Sequence, residues 1–372
     1  MSPTLASAYL HDLDPFAIRF PQSWGDALPI LAGLRWYGLA YAAGFIVGWL
    51  WMRWMAKTKR STLSAPQVSD LLMAMILGVL IGGRLGYVMF YEPHLLGFSS
   101  TPPFWGVLAL HRGGMSSHGG IIGVIVAAIV FGRRTRTSSL HILDLAAFAC
   151  LPGLCFGRLA NFVNAELWGK ALSPAHQANP PWWAVKYPQE LAMFTPERAE
   201  AARPVAELVG VAGTDWVTAV RTISMLRDQA PDEAVKVVRI VTERVVDAVQ
   251  SGNEVVAAAV RPLLTSFAPS QLLQALTDGP VLMALLAVCW LRPRRPGVIG
   301  ALFLTFYGVL RISTEVVRQP DEGVAVWLGL SRGQWLSVAM VLAGLIGLLV
   351  VSRRNVPRLG GLRPVVGAAA AA

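Results

Sequence analysis

A chain of 372 residues has room for two soluble domains or one large membrane domain. Its composition decides: 54% of residues are apolar, only 15% are charged and the mean hydropathy is +0.51, against roughly a quarter charged in soluble domains. A disordered chain, a disulfide scaffold and an ordinary cytosolic enzyme are excluded, and the net charge of +10 sits in clusters whose positions speak of membrane topology rather than of nucleic acid.

In chain order, Met1–Phe20 carries Asp12 and Asp14, no basic n-region and no clean apolar core, and does not read as a cleaved signal peptide. Apolar runs follow at 34–54, 67–91, 118–132, 140–164, 270–291, 297–318 and 333–352; a bilayer takes roughly 20 residues. The third is short, so it starts earlier or tilts. Basic clusters follow the first, third, fifth and seventh runs: Arg53, Lys57, Lys59 and Arg60; Arg133, Arg134 and Arg136; Arg292, Arg294 and Arg295; Arg353, Arg354 and Arg358. That alternation predicts an all-α polytopic membrane protein of seven transmembrane helices, N-out and C-in. Its parts are an outer N-terminal segment over 1–33, spans one to four over 34–169, an outer helical insertion over 170–268, spans five to seven over 269–352 and a cytoplasmic tail over 353–372. Trp24, Trp36, Trp105, Trp168, Trp182, Trp183 and Trp327 fall near predicted outer ends and read as interfacial anchors.

Cys150, Cys155 and Cys289 lie within apolar runs without metal-ligand spacing, and read as buried, inert thiols. In the insertion, Ala234, Val237, Val238, Val241, Val245, Ala248 and Val249 recur at helical spacing, with Lys236, Arg239, Glu243, Arg244 and Asp247 opposite. This amphipathic helix caps the membrane domain, lies on the lipid surface or docks a substrate. An Ala-rich tail, Gly367–Ala372, closes the chain.

Ionisable groups inside apolar runs are expensive and ask for a reason. Arg84 lies in the outer half of span two and His118 opens span three. Arg158 and Asn161 stand three residues apart near the outer end of span four, with Asn164 and Glu166 beyond. Arg311, Glu315 and Arg318 share one face of span six. Arg35 and Tyr37 mark the outer end of span one. Each has a bland alternative: Arg84 braces a helix or snorkels, Arg311 and Glu315 form a structural pair, and Tyr37 is an interfacial anchor. His118 differs because glycines surround it in Gly113-Gly114-Met115-Ser116-Ser117-His118-Gly119-Gly120, where the backbone can approach a ligand closely. Five predicted spans thus place polar groups at similar depth on one side, which predicts one outward-opening polar cavity. Arginine dominates, and its donor fork suits phosphate, hence a phospholipid head group. A proton or ion pathway would instead show Asp or Glu near mid-membrane, and none is expected there.

Several blocks closely resemble bacterial prolipoprotein diacylglyceryl transferases. They are Gly157-Arg158-Leu159-Ala160-Asn161-Phe162-Val163-Asn164-Ala165-Glu166-Leu167-Trp168-Gly169, Gly83-Arg84-Leu85-Gly86-Tyr87, the His118-Gly119-Gly120 segment, Tyr307-Gly308-Val309-Leu310-Arg311 with Glu315, Arg318, Pro320 and Asp321, and Trp36-Tyr37-Gly38. Two features depart from the family. Ala268-Pro269-Ser270-Gln271-Leu272-Leu273-Gln274 lacks the His, Tyr and Glu of the usual segment, and the helical insertion is long.

The resemblance implies transfer of a diacylglyceryl group from phosphatidylglycerol to the lipobox cysteine thiol of a prolipoprotein, giving a thioether and glycerol-1-phosphate. It implies an inner-membrane enzyme facing the periplasm, with membrane lipid and a signal-peptide helix as partners, no nucleic acid, and no metal or organic cofactor. Arg158 and Arg311 are expected to stabilise the leaving phosphate, and His118 either takes the thiol proton or positions the lipid. Substrate-binding roles are expected at Tyr37, Arg84, Gly119, Gly120, Asn161, Glu166, Gly169, Tyr307, Glu315 and Arg318. Two other readings stay open: a phosphatidylglycerol-dependent transferase with an altered acceptor, and a non-catalytic phospholipid-binding or transport protein.

Overall fold

The computed structural model describes residues 8–21, 23, 32–98, 100, 104–108, 113–319 and 330–363. Trp24, Trp327, Pro320, Asp321 and the Ala-rich tail lie outside the described residues. Short strands β1 (Tyr9–Leu10), β2 (Phe16–Arg19) and β3 (Gly33–Arg35) precede helices α1 (Trp36–Lys57), α2 (Ala65–Phe90), α3 (Ser117–Thr135), α4 (Ser139–Ala149) and α5 (Leu151–Val163). Then come β4 (Val185–Lys186), α6 (Gly213–Leu226), α7 (Asp232–Gln250) and α8 (Glu254–Val260). Helices α9 (Ser270–Leu276), α10 (Leu282–Cys289), α11 (Val298–Glu315) and α12 (Arg332–Ser352) complete the chain.

Among the described residues, six helical stretches are long and apolar enough to cross a membrane: Ala65–Phe90, His118–Thr135, Ser139–Val163, Ser270–Cys289, Val298–Glu315 and Gly333–Ser352. They correspond to predicted runs two to seven. The short third run is extended at its far end, to Thr135, where Arg136 stops it in the left-handed conformation (φ 54°). Large apolar side chains such as Leu77, Ile81, Ile122, Ile125, Ile346 and Leu349 face outward, as helices in lipid require. Local sequence explains the ends and breaks. Ser64 and Gln67 form a reciprocal capping box at the start of α2. Pro152 lacks the N–H that would reach the Phe148 carbonyl, and the run divides there into α4 and α5. Pro280 is absorbed by a π-helical turn over Thr277–Val281, between α9 and α10.

The chain divides into two compact units. The first comprises Met1–Tyr41, Phe156–Leu276 and Ser313–Arg332. Its core is the valine face of α7: Val238, Val241, Val245 and Val249 are buried against Trp216, Val217 and Val220 of α6 and Val256 and Val260 of α8. Each such side chain contributes roughly 1.5–3 kcal/mol on burial. Lys236, Arg239, Glu243, Arg244 and Asp247 stay exposed, so the amphipathic face is spent on a protein core and not on a lipid surface. Small pieces of sheet, which the sequence pattern did not foreshadow, stitch the N-terminal segment in. β1 pairs in parallel with β4, and β2 pairs antiparallel with β3. His11 is fully buried, with Nε2 2.8 Å from the Phe162 carbonyl oxygen and its ring against Tyr187 and Phe162. Trp168, expected as an interfacial anchor, instead stacks on Tyr187 at 4.7 Å and donates Nε1–H to the Ala165 carbonyl.

The second unit comprises Ala42–Cys155, Thr277–Ile312 and Gly333–Ala372. Its closest helix pair is α2 with α3, which meet along glycines. A Cβ on Gly78 would stand 2.6 Å from the Gly123 oxygen, and one on Gly119 would collide with the Gly82 oxygen. This is small-residue packing, the means by which helices associate where lipid competes equally for apolar surface. Acidic groups do lie within the apolar helices, contrary to expectation. Buried Asp144 of α4 accepts the Gly297 and Gly300 N–H groups, each at 2.7 Å, and so caps the start of α11. Asp278 is buried in the π-helical turn. Of the thiols, Cys150 is exposed at the α4–α5 break rather than buried, and Cys155 lies against Gly279.

Three outcomes follow for stability. Gly123→Val should cost about 1–3 kcal/mol by overpacking the seam, seen as a lowered melting temperature in detergent. Gly120→Ala should melt no lower than the parent, because its Cβ meets only Val79, at 3.6 Å. Burial lowers the His11 pKa below its ordinary 6.5, a hydrogen bond donated to the Phe162 carbonyl opposing. The neutral ring therefore contributes stability that is fully present above about 6.5 and is lost as pH falls toward the depressed folded value. Melting of the wild type followed from pH 8 to 5 should show that acid loss, and His11→Gln should flatten it.

Candidate active site

In the first unit the signature residues gather at the end of α5. Tyr37, in the first turn of α1, donates its hydroxyl to Asn161 Oδ1 at 2.7 Å. Asn161 is buried, and Arg158 lies one turn earlier on the same face of α5, half-buried. Tyr37 is close enough to Arg158 and Glu166 to feel both charges. Glu166 is exposed as a residue, yet partial burial of its carboxyl raises its pKa above the ordinary value, with Arg35 pulling it back.

The loop after α5 is strained. Ala165 and Leu167 both take left-handed backbone conformations, at φ 52° and 56°, each costing about 1–3 kcal/mol. Hydrogen bonds hold them there: Trp168 Nε1 to the Ala165 carbonyl (2.7 Å), Gln271 Nε2 to that of Glu166 (2.6 Å), Ser270 Oγ to that of Leu167 (3.1 Å), and Glu166 N to the Asn161 carbonyl (2.9 Å). Ser270 and Gln271, among the positions the variant segment Ala268–Gln274 retains, thus clamp the signature loop. Sequence reasoning missed this, because the partners lie about a hundred residues apart. Gly169 is pinched between backbones: a Cβ would collide with the Ala268 carbonyl and stand 3.0 Å from that of Val317. Gly169 bridges to Arg318, and Lys170 N donates to the Val317 carbonyl at 2.8 Å. Arg318 pairs with Glu315 at 3.6 Å, both side chains largely buried.

In the second unit Arg84 is only 4% exposed, and backbone carbonyls surround its guanidinium. Nε donates to Val107 (2.7 Å), Nη2 to Gly106 (2.8 Å) and Nη1 to Gly113 and Gly114 (2.6 and 3.1 Å). This is the bracing alternative: Arg84 ties down the chain that leads into α3. Gly113 and Gly114 make that turn at φ 75° and 84°. Ser116 then caps α3 through the Gly119 N–H (3.3 Å) and donates its own N–H to the Gly83 carbonyl (2.8 Å). His118, in the first turn of α3, is exposed. Gly119 and Gly120 are buried, and the close approach Gly119 permits is to helix α2. Tyr307 and Arg311 stand one turn apart on α11, half-buried, and Tyr307 stacks on Phe303 at 5.6 Å. Gly308 between them admits α12, since a Cβ there would lie 2.8 Å from the Ser337 carbonyl. Chemically, the first unit offers a guanidinium beside a phenol–amide pair. The second offers an accessible imidazole and a further guanidinium.

Residues 27–350 match the family described as prolipoprotein diacylglyceryl transferase. The chain is 41% identical over 349 residues to a phosphatidylglycerol–prolipoprotein diacylglyceryl transferase of Bdellovibrio bacteriovorus, covering 92% of this chain and 94% of that one. Proteins of the same name from Cereibacter sphaeroides (35% identical, 86% and 91% covered) and Rhodospirillum rubrum (33%, 92% and 97%) are also similar. The chain belongs to the prolipoprotein diacylglyceryl transferase family.

Proposed function

We propose that this protein transfers the diacylglyceryl group of phosphatidylglycerol to the lipobox cysteine thiol of prolipoproteins. The observation that carries this reading is the family match over 27–350 together with every signature residue from Arg158 to Gly169 in place. The protein works in the bacterial inner membrane with seven spans, N-out and C-in, and its reaction side and the 170–268 segment face the periplasm. Helix α1 is the seventh span. Its 22 residues cover about 33 Å at 1.5 Å each, and Tyr41, Phe45, Ile46, Leu50 and Trp54 face outward along it.

Sulfur attacks the glyceryl methylene, the carbon–oxygen bond to phosphate breaks, and glycerol-1-phosphate leaves. A phosphodiester with one negative charge becomes a monoester with nearly two. Cations at that phosphate therefore stabilise the transition state more than the ground state. Arg158 and Arg311 supply this charge. Asn161, oriented by Tyr37, and Tyr307 supply hydrogen bonds. An ordinary thiol is only a few per cent thiolate at neutral pH, so His118 takes its proton as sulfur attacks. Arg84, Glu315 and Arg318 position the groups around them. Gly119, Gly120, Glu166 and Gly169 shape the backbone that meets the substrates.

Purified protein given phosphatidylglycerol and a lipobox peptide should add a diacylglyceryl mass to the cysteine and release glycerol phosphate. No mass gain would refute the assignment, and gain on a peptide without cysteine would point to another acceptor. Arg158→Ala should lower kcat about 10²–10³-fold while membrane insertion is retained; undiminished transfer would remove its phosphate role. In a pH–rate profile the wild type should lose rate toward acid as an imidazole protonates. His118→Gln should be slow at all pH values without that limb, and near-full activity would assign His118 to lipid positioning instead.

A further inference from the structure

Helix α5 closes in a Schellman turn. The Glu166 N–H reaches back to the Asn161 carbonyl (2.9 Å) and the Ala165 N–H to that of Phe162 (3.0 Å). Ala165 takes the left-handed conformation this closure requires, at φ 52°. Glycine ordinarily holds that position, because a Cβ is disfavoured there. With an alanine in its place, the closure needs support from outside the helix. Trp168, Gln271 and Ser270 hold the carbonyls of Ala165, Glu166 and Leu167, on the outgoing side of the turn. The inner carbonyl, that of Phe162, is met by a different group.

That group is His11, from the far N-terminal segment. Its backbone is fixed beside β4: the His11 N–H donates to the Lys186 carbonyl (2.9 Å) and the Tyr9 N–H to that of Ala184 (2.8 Å). The ring is fully buried, with Nε2 2.8 Å from the Phe162 oxygen. A carbonyl only accepts, so Nε2 carries the proton. Nδ1 is buried too and meets no hydrogen-bond partner among the described residues. An unpartnered buried nitrogen has a desolvation cost that an apolar side chain of similar size would avoid. What distinguishes the imidazole from such a side chain is its Nε2–H on the turn. The turn in its turn carries the site. Asn161, whose carbonyl closes it, accepts the Tyr37 hydroxyl at Oδ1, so its NH₂ is what the amide can offer a phosphate. We propose that His11 is a positioning residue of the transfer reaction. Its Nε2–H, by holding the Phe162 carbonyl, fixes the closing turn of α5 and with it the Asn161 amide. The proposal rests on the transferase reading for the reaction served.

The test compares full-length variants in detergent with phosphatidylglycerol and a lipobox peptide. His11→Leu, which keeps the bulk and removes the donor, should lower kcat about tenfold and leave the KM for phosphatidylglycerol unchanged. His11→Gln, whose amide nitrogen can stand where Nε2 does, should restore kcat. So should Ala165→Gly added to His11→Leu, because glycine takes the left-handed turn unaided. In an Asn161→Ala background His11→Leu should cost nothing further, since the two act as one unit. A kcat undiminished in His11→Leu, or equally low in His11→Gln, would overturn the proposal. It would be overturned as well by a full tenfold loss in the Asn161→Ala background, or by Ala165→Gly giving no recovery. If His11→Leu does not fold, His11→Asn, polar but too short to reach Phe162, takes its place in each comparison. Hydrogen exchange of the Ala165 and Glu166 amides reads the turn without turnover, and should be about tenfold faster in His11→Leu and parental in His11→Gln. Failure of the wild type to transfer lipid would count against the transferase reading alone. Exchange would then decide whether His11 holds the turn, and unchanged rates in His11→Leu would end the proposal.

Discussion

Backbone contact through glycine governs the second unit. Helices in lipid gain little from burying apolar side chains against one another, so they associate where backbones can approach. Gly78 and Gly82 of α2 meet Gly119 and Gly123 of α3 so closely that any Cβ would strike a carbonyl. Other features lean on that seam. It brings the Ser116 N–H to the Gly83 carbonyl and sets the first turn of α3, where His118 is presented. Arg84, next after Gly83, then reaches the carbonyls of Gly106, Val107, Gly113 and Gly114 and holds the entry to α3. A charged side chain in an apolar helix is tolerated because oxygens surround it.

The first unit relies on a different balance. It has a core of the soluble kind, built from the valine face of α7 and the buried Trp216 of α6. Beside a separate small cluster of Ala165, Val185, Tyr187 and Phe267, it keeps a loop in which two of three successive residues are left-handed. Such strain persists only where surroundings over-determine it, and here Trp168, Ser270 and Gln271 do so from three directions. The same loop carries Glu166 and Gly169. Residues the transfer reaction is proposed to use thus sit on a loop clamped by side chains.

For a displacement that turns one negative charge into nearly two, positioned cations matter more than an elaborate proton relay. The protein's arginines divide accordingly. Arg84 is consumed by backbone carbonyls and Arg318 by Glu315, which makes them supports. Arg158 lies one turn before Asn161 on the same face of α5, near the Tyr37 hydroxyl.

Composition and periodicity are local properties, and they were sufficient for the local facts. The apolar runs anticipated the six long membrane helices, the valine spacing anticipated the buried face of α7, and the ordered signature blocks anticipated the family. Contacts between distant residues leave no such trace. Nothing in the spacing distinguishes an arginine that snorkels from one ringed by carbonyls, as Arg84 is, or an interfacial tryptophan from Trp168 stacked on Tyr187. The sequence reading expected no acidic group within the apolar runs, yet Asp144 accepts the Gly297 and Gly300 N–H groups. Sequence determined which segments could cross a membrane and which chemistry they carried. Tertiary structure alone decided which polar groups were spent on holding the chain, because a buried donor or acceptor must find its partner in space and not along the chain.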